Sequence, residues 1–110
     1  MLLTTTNSIE GHKIKHYLGL VAGDAILGAN IFKDISAAIR DVIGGRSGSY
    51  ERVLKEAKRI AESELVSSAM AMGANAVIGV DFDYETLGKG SMLMVSMTGT
   101  AVIYDEHTTI

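Results

Sequence analysis

The chain has 110 residues, 47% of them hydrophobic and 21% charged, with a net charge of −3 and no cysteine. That length suits one domain with a core of its own. The charge balance argues against nucleic acid, and the missing thiols exclude disulfides, thiolate catalysis and Cys-rich zinc or copper sites.

The opening residues MLLTTTNSIEGHK lack a basic start followed by a long apolar run, so no signal peptide is expected. No stretch of about 18 uninterrupted apolar residues exists, so no membrane span is expected either. A cytoplasmic protein is the resulting expectation.

Taken in order, Leu2 to Thr6 is β-rich and predicts a short edge strand. A second strand follows from His12. Ile14, His16 and Leu18 alternate there with Lys13, Lys15 and Tyr17, and Gly19, Gly23 and Gly28 bend or bulge it. Asn30 is placed to cap a first helix, in which Ile31, Ile35, Ala38, Ile39 and Val42 recur at helical spacing until Gly44 and Gly45.

A second helix is predicted from near Ser49 to Gly73, about 34 Å long over Tyr50 to Met72. Leu54, Ala57, Ala61, Leu65, Ser68 and Met72 form its narrow small-residue stripe. Glu51–Lys55 and Lys58–Glu62 are spaced to pair on its wet side. After Glu64 no charge appears until Gly73. Val66 and Met70 therefore lie on a helix end with no wet face, which predicts burial on more than one side.

From Ala76 the chain alternates again. Ile78, Val80, Phe82 and Tyr84 face one way, and Asp81, Asp83 and Glu85 the other. Leu87 to Ser91 is a glycine-rich hairpin turn, and Met92 to Tyr104 forms a long strand. Its odd positions Leu93, Val95, Met97, Ala101 and Ile103 suit a core. Its even positions Met92, Met94 and Val102 are also apolar, which breaks the rule for a strand with one wet face. The order is β-β-α-α-β-β. It predicts an α+β fold of two layers, an antiparallel sheet with two helices on one face, over residues 1–104. Asp105 to Ile110 is expected to be a frayed tail.

The segments GDAILGANIFKDISAAIRDVIGGRSGSYE, MGANAVIGVDFDYE and GSMLMVSMTGTAV, from Gly23 to Val102, resemble the YbjQ-like family of small bacterial and archaeal proteins, often labelled heavy-metal-binding. The resemblance implies a dodecin-subunit-like fold and a homopentameric ring. It brings no chemistry, because the family's function is not established. Asp105 to Ile110 fall outside its pattern.

Candidate sites are few. The loop GGRSGSYE contains neither a P-loop nor a dinucleotide fingerprint. Arg46, Ser47, Gly48 and Ser49 could hold an anion at a helix N-terminus. The plainer reading, and the preferred one, is an elbow between helices with Ser49 as cap. Asp81, Asp83 and Glu85 could offer oxygen ligands to Ca²⁺ or Mg²⁺, but alternate strand residues lie about 6.6 Å apart, so three hardly share one ion. The polar face of a hairpin is the preferred reading.

His12 and His16 stand about 13 Å apart along a strand and cannot chelate one ion within a subunit. Met70, Met72, Met92, Met94 and Met97 suit packing and interface use better than thioether ligation. No nucleophile stands beside a recognisable base, no cofactor is indicated, and an enzyme is the last of the readings.

The first reading is a homo-oligomer, with Met92, Met94, Val102, Val66 and Met70 at its interface. Its partner is itself, with neither nucleic acid nor membrane. A small-ligand or anion-binding protein using subunit clefts and the Gly44–Ser49 loop is the alternative. A carboxylate metal-binding protein is the second.

Overall fold

The structure, a computed structural model, describes residues 1–27, 48–88 and 92–107. The predicted first helix, Arg46 and Ser47 lie outside these residues. The described elements are β1 (Leu2–Leu3), β2 (Ile14–Leu27), α1 (Gly48–Ala71), β3 (Ala76–Leu87) and β4 (Met92–Tyr104). They form one sheet in the order β1-β3-β4-β2, with α1 against one face. The sheet is mixed, not antiparallel as expected. β2–β4 and β3–β4 are antiparallel, but β1 runs parallel to β3 through Leu2↔Ala76 and Leu3↔Val77.

The sheet face of α1 is a ladder of one residue per turn. Ala57, Ala61, Leu65 and Ala69 are all fully buried. Ala69 takes the place expected for Ser68, and Met72 ends partly exposed. Opposite them stand Val21, Ala25 and Leu27 of β2, Val77 of β3, and Leu93, Val95, Met97 and Ala101 of β4. Small helix residues let the backbones approach. At Gly23 a Cβ would run into the Ala61 carbonyl oxygen and stand 2.5 Å from the Leu65 nitrogen.

The helix begins at Gly48, so Ser49 stands inside it rather than ahead of it as the expected cap. It ends where expected. Gly73 takes a left-handed conformation at φ 87. Its N–H donates to the Met70 carbonyl at 2.9 Å, and that of Ala74 to Ala69 at 3.0 Å. Together these bonds form a Schellman cap. On the outer side Arg59 donates to Glu56 at 2.6 Å, an exposed pair of small worth. Lys58, expected to pair with Glu62, instead sets its ammonium 4.8 Å from the Phe82 ring centroid.

Two irregularities reassign side chains between the faces. Bulges between Ile14 and His16 and between Tyr17 and Gly19 break the alternation of β2. Leu18 packs toward the helix while Ile14 packs on the opposite face, so these two do not share a side. In β3 a bulge lies between Ile78 and Asp81, at Gly79 with φ 61. Val80 and Phe82 pack toward α1, whereas Ile78 joins Ala76 and Val102 on the far face. The expected single row from Ile78 to Tyr84 is therefore split.

Among the described residues, the far face is covered at one end only. Ile9 packs there over Ala76, Ile78 and Val102, beside Ile14 and Tyr104. The strap bearing Ile9 is held by Thr4 N–H to Val77 O at 3.0 Å and Gly79 N–H to Thr6 O at 2.8 Å. Val102, expected at a subunit interface, is fully buried inside the subunit and has no surface to offer a partner. The Asn75 side chain donates to Tyr104 O and accepts from Tyr104 N–H, both at 2.9 Å, standing in for a strand residue. The expected tail is held at its start, where Asp105 N–H donates to Lys13 O at 2.8 Å.

Gly23→Ala is predicted to cost about 1–3 kcal/mol or more, because the added methyl meets helix backbone that cannot turn away. Urea denaturation of the two proteins measures it. An unchanged midpoint would show that the helix does not approach this closely.

Candidate functional site

The uncovered end of the far face holds the candidate site. Strand register lines up its side chains in rows across β2, β4 and β3. One row is Asp24, Ser96 and Asp83; the next is Ile26, Met94 and Glu85; a third is Ala22, Thr98 and Asp81. Three acidic residues thus sit along β3, the hydroxyls Ser96 and Thr98 in the middle, and Leu20, Ala22 and Ile26 along β2 with acidic Asp24 among them. An open depression of about 350 Å³ is lined by Asp83, Tyr84, Glu85, Met94 and Ser96.

Asp81 and Asp83 interact. The negative charge of Asp81 is the main cause that raises the Asp83 pKa above its ordinary value, and a side-chain hydrogen bond between the two carboxyls adds to it. A protonated Asp83 can donate in that bond, whereas two carboxylates only repel. This is two oxygen-bearing groups on one exposed strand, not a cage. Among the described residues no group of three His, Cys, Asp or Glu side chains is placed to hold a metal ion.

The remaining candidates scatter. His12 lies against Tyr104 edge-on, with ring centroids 5.5 Å apart, and its Nδ1 is 3.0 Å from the Asp105 carbonyl oxygen. His16 is exposed on β2 and His107 beyond β4. Met97 is buried beneath α1, Met92 and Met94 are half-buried, and Met70 and Met72 sit at the exposed helix end. The methionines therefore do not converge. Gly48 and Ser49 form the first residues of α1. The anion reading of Arg46 to Ser49 rests largely on residues outside the described ones.

Sequence reasoning passed over Leu20, Asp24 and Ile26. Their signal was present: Leu20 and Ile26 interleave with Val21, Ala25 and Leu27, so β2 is apolar on both faces, as β4 is.

The pattern of faces and strands can be set beside known proteins. The profile of a family described as "Putative heavy-metal-binding" matches residues 1–105. The chain belongs to the YbjQ-like family. A crystal structure of a protein of unknown function from Pediococcus pentosaceus, of the DUF74 family, is similar in fold. The TM-score is 0.67 at 19% identity, over 96% of this chain and 98% of that one. At that identity the likeness speaks for the mixed α+β fold alone. The family's description refers to metal, but the described residues of this member bring together no soft-ligand set.

Two outcomes test the site. The raised Asp83 pKa means that the folded protein binds this proton more readily than the unfolded chain does. Stability is therefore lost as pH rises through the window between the ordinary carboxylate value and the raised one. Asp81→Asn is expected to raise the melting temperature at neutral pH, with the advantage shrinking as pH falls through that window. A pH-independent difference would show that the two carboxyls do not interact. Titration calorimetry with zinc, copper or cadmium is expected to show no saturable site of sub-micromolar affinity. A stoichiometric transition would establish the metal reading.

Proposed function

We propose that the chain is a cytoplasmic subunit that works as a closed homo-oligomeric ring, with five copies as the family resemblance implies. The observation that supports this is the apolar surface left open on one subunit. Leu20 is 88% exposed and Ile26 61% exposed on the uncovered sheet face, and Met70 is 62% exposed at the charge-free helix end. Single exposed apolar residues are ordinary, but Ile26 is the cross-strand neighbour of half-buried Met94, and Leu20 stands farther along the same face of β2, opposite Thr100. A second copy removes them from water, and a closed ring leaves no copy with an uncovered patch. Val66, Met70, Met92 and Met94 are the interface residues in this reading. No helix of the described residues is long and apolar enough to cross a membrane.

Met94→Asp is expected to shift the protein toward monomer or aggregate, since it places a charge in the proposed interface. Light scattering coupled to size-exclusion chromatography measures both proteins. A well-behaved wild-type monomer at micromolar concentration would overturn the reading. A stable ring of another number would overturn only the count of five.

A further inference from the structure

Among the described residues the sheet has two backbone edges without a strand beside them, and the two match each other. On one side β2 is the outer strand over Ile14–Leu27. On the other side β1 pairs with β3 only at Ala76 and Val77, and the strap bonds reach no farther than Val80. Among the described residues, Asp81–Leu87 therefore has no strand on its outer side.

Hydrogen-bond parity identifies which groups are free. In an antiparallel strand the N–H and C=O of one residue point to the same side, and successive residues alternate. Asp24 N–H points outward, since it donates to the Glu64 carboxylate at 3.4 Å. Leu20, Ala22 and Ile26 share its parity, with no bulge after Gly19. Gly23 then points inward to Met97, so Met97 faces β2, and Phe82, opposite Met97 on β3, faces outward. Tyr84 and Thr86 follow the same parity.

Beyond the strap, Ala22, Asp24 and Ile26 on one edge and Phe82, Tyr84 and Thr86 on the other are alike in length and level. Asp24 and Asp83 both align with Ser96, whereas Leu20 aligns through Thr100 with Ile78, next to the residues that the strap bonds. β2 and β3 are both antiparallel to β4, so they run in the same direction. A copy turned about an axis along the strands thus brings β2 beside β3 without any slide.

We propose that Ala22–Leu27 of one copy pairs in parallel with Asp81–Leu87 of the next, so that one sheet runs from subunit to subunit. This rests on the self-assembly reading above and gives it a head-to-tail junction, the arrangement that closes into rings. A long unpaired edge beside exposed Leu20 and Ile26 otherwise invites indiscriminate association. The Glu64 carboxylate, exposed and at long range, swings away to release Asp24 N–H. The junction has a cost: Asp24 enters beside Asp81, Asp83 and Glu85. Added salt screens that repulsion and tightens association.

The test combines mass with residue-resolved hydrogen exchange on the full chain. An oligomeric mass is expected, with the amides of Ala22, Ile26, Phe82, Tyr84 and Thr86 exchanging roughly 100-fold more slowly than exposed amides do. Ala22→Pro deletes one outward donor and leaves the β2–β4 ladder whole, since proline is tolerated on the free side of an edge strand. It is expected to weaken association at least tenfold with an unchanged far-ultraviolet spectrum. An oligomer in which either row exchanges freely, or in which a folded Ala22→Pro protein associates as the wild type does, overturns the junction and leaves self-assembly standing. A monomer, whether its rows are protected or not, overturns both.

Discussion

The contact on which the architecture depends is the seating of α1 on β2 at Gly23. Helix backbone at Ala61 and Leu65 occupies the space that any side chain at Gly23 would need. Such an approach requires small residues on both partners, and the buried ladder Ala57, Ala61, Leu65 and Ala69 supplies them on the helix. Close approach increases dispersion contact along the whole ladder. It also commits β2 to one orientation. With Gly23 toward the helix, Val21, Ala25 and Leu27 must follow it inward, and Leu20, Ala22, Asp24 and Ile26 must face away.

From that commitment comes the division of the far face. Its first part is closed by the N-terminal strap, whose Ile9 seals Ala76, Ile78 and Val102. Gly79 makes this possible. Its left-handed backbone turns β3 so that Ile78 joins the sealed patch while Val80 and Phe82 return to the helix side. Beyond the bulge nothing among the described residues covers the face. There β2, apolar apart from Asp24, hydroxyl-bearing β4 and acidic β3 form a graded surface of the kind that meets a partner of its own chemistry at some electrostatic cost. A family name that mentions metal does not by itself supply ligands, and the carboxylates Asp81 and Asp83 interact mainly with one another.

Much of the fold was legible from local pattern. Gly73 ended the helix where its position predicted, because a left-handed cap needs only the glycine and the turn before it. The β3–β4 hairpin and the acidic row of Asp81, Asp83 and Glu85 followed from alternation over a few residues. Other readings failed for one shared cause. Val102 looked like an interface residue because nothing near it in sequence covers it. Its cover, Ile9, lies more than ninety positions away. Ile78 was grouped with Val80 because strict alternation cannot register an inserted residue, although Gly79 marked the place where one could occur.

The division between the two sources of information therefore follows the range of the forces. Periodicity, glycine punctuation and charge spacing act within a turn or a few strand residues. They were enough to establish the helix and the long strands, along with the surplus of apolar residues on β4, while the family came from the resemblance of long contiguous segments. Which side of a strand meets α1, that β1 joins β3 in parallel, and that Asp24, Ser96 and Asp83 share one row are facts of register. Register is decided by packing between distant segments, where one bulge moves every later side chain to the other face. Only the folded chain contains that information, because only there do Gly23 and Ala61 meet.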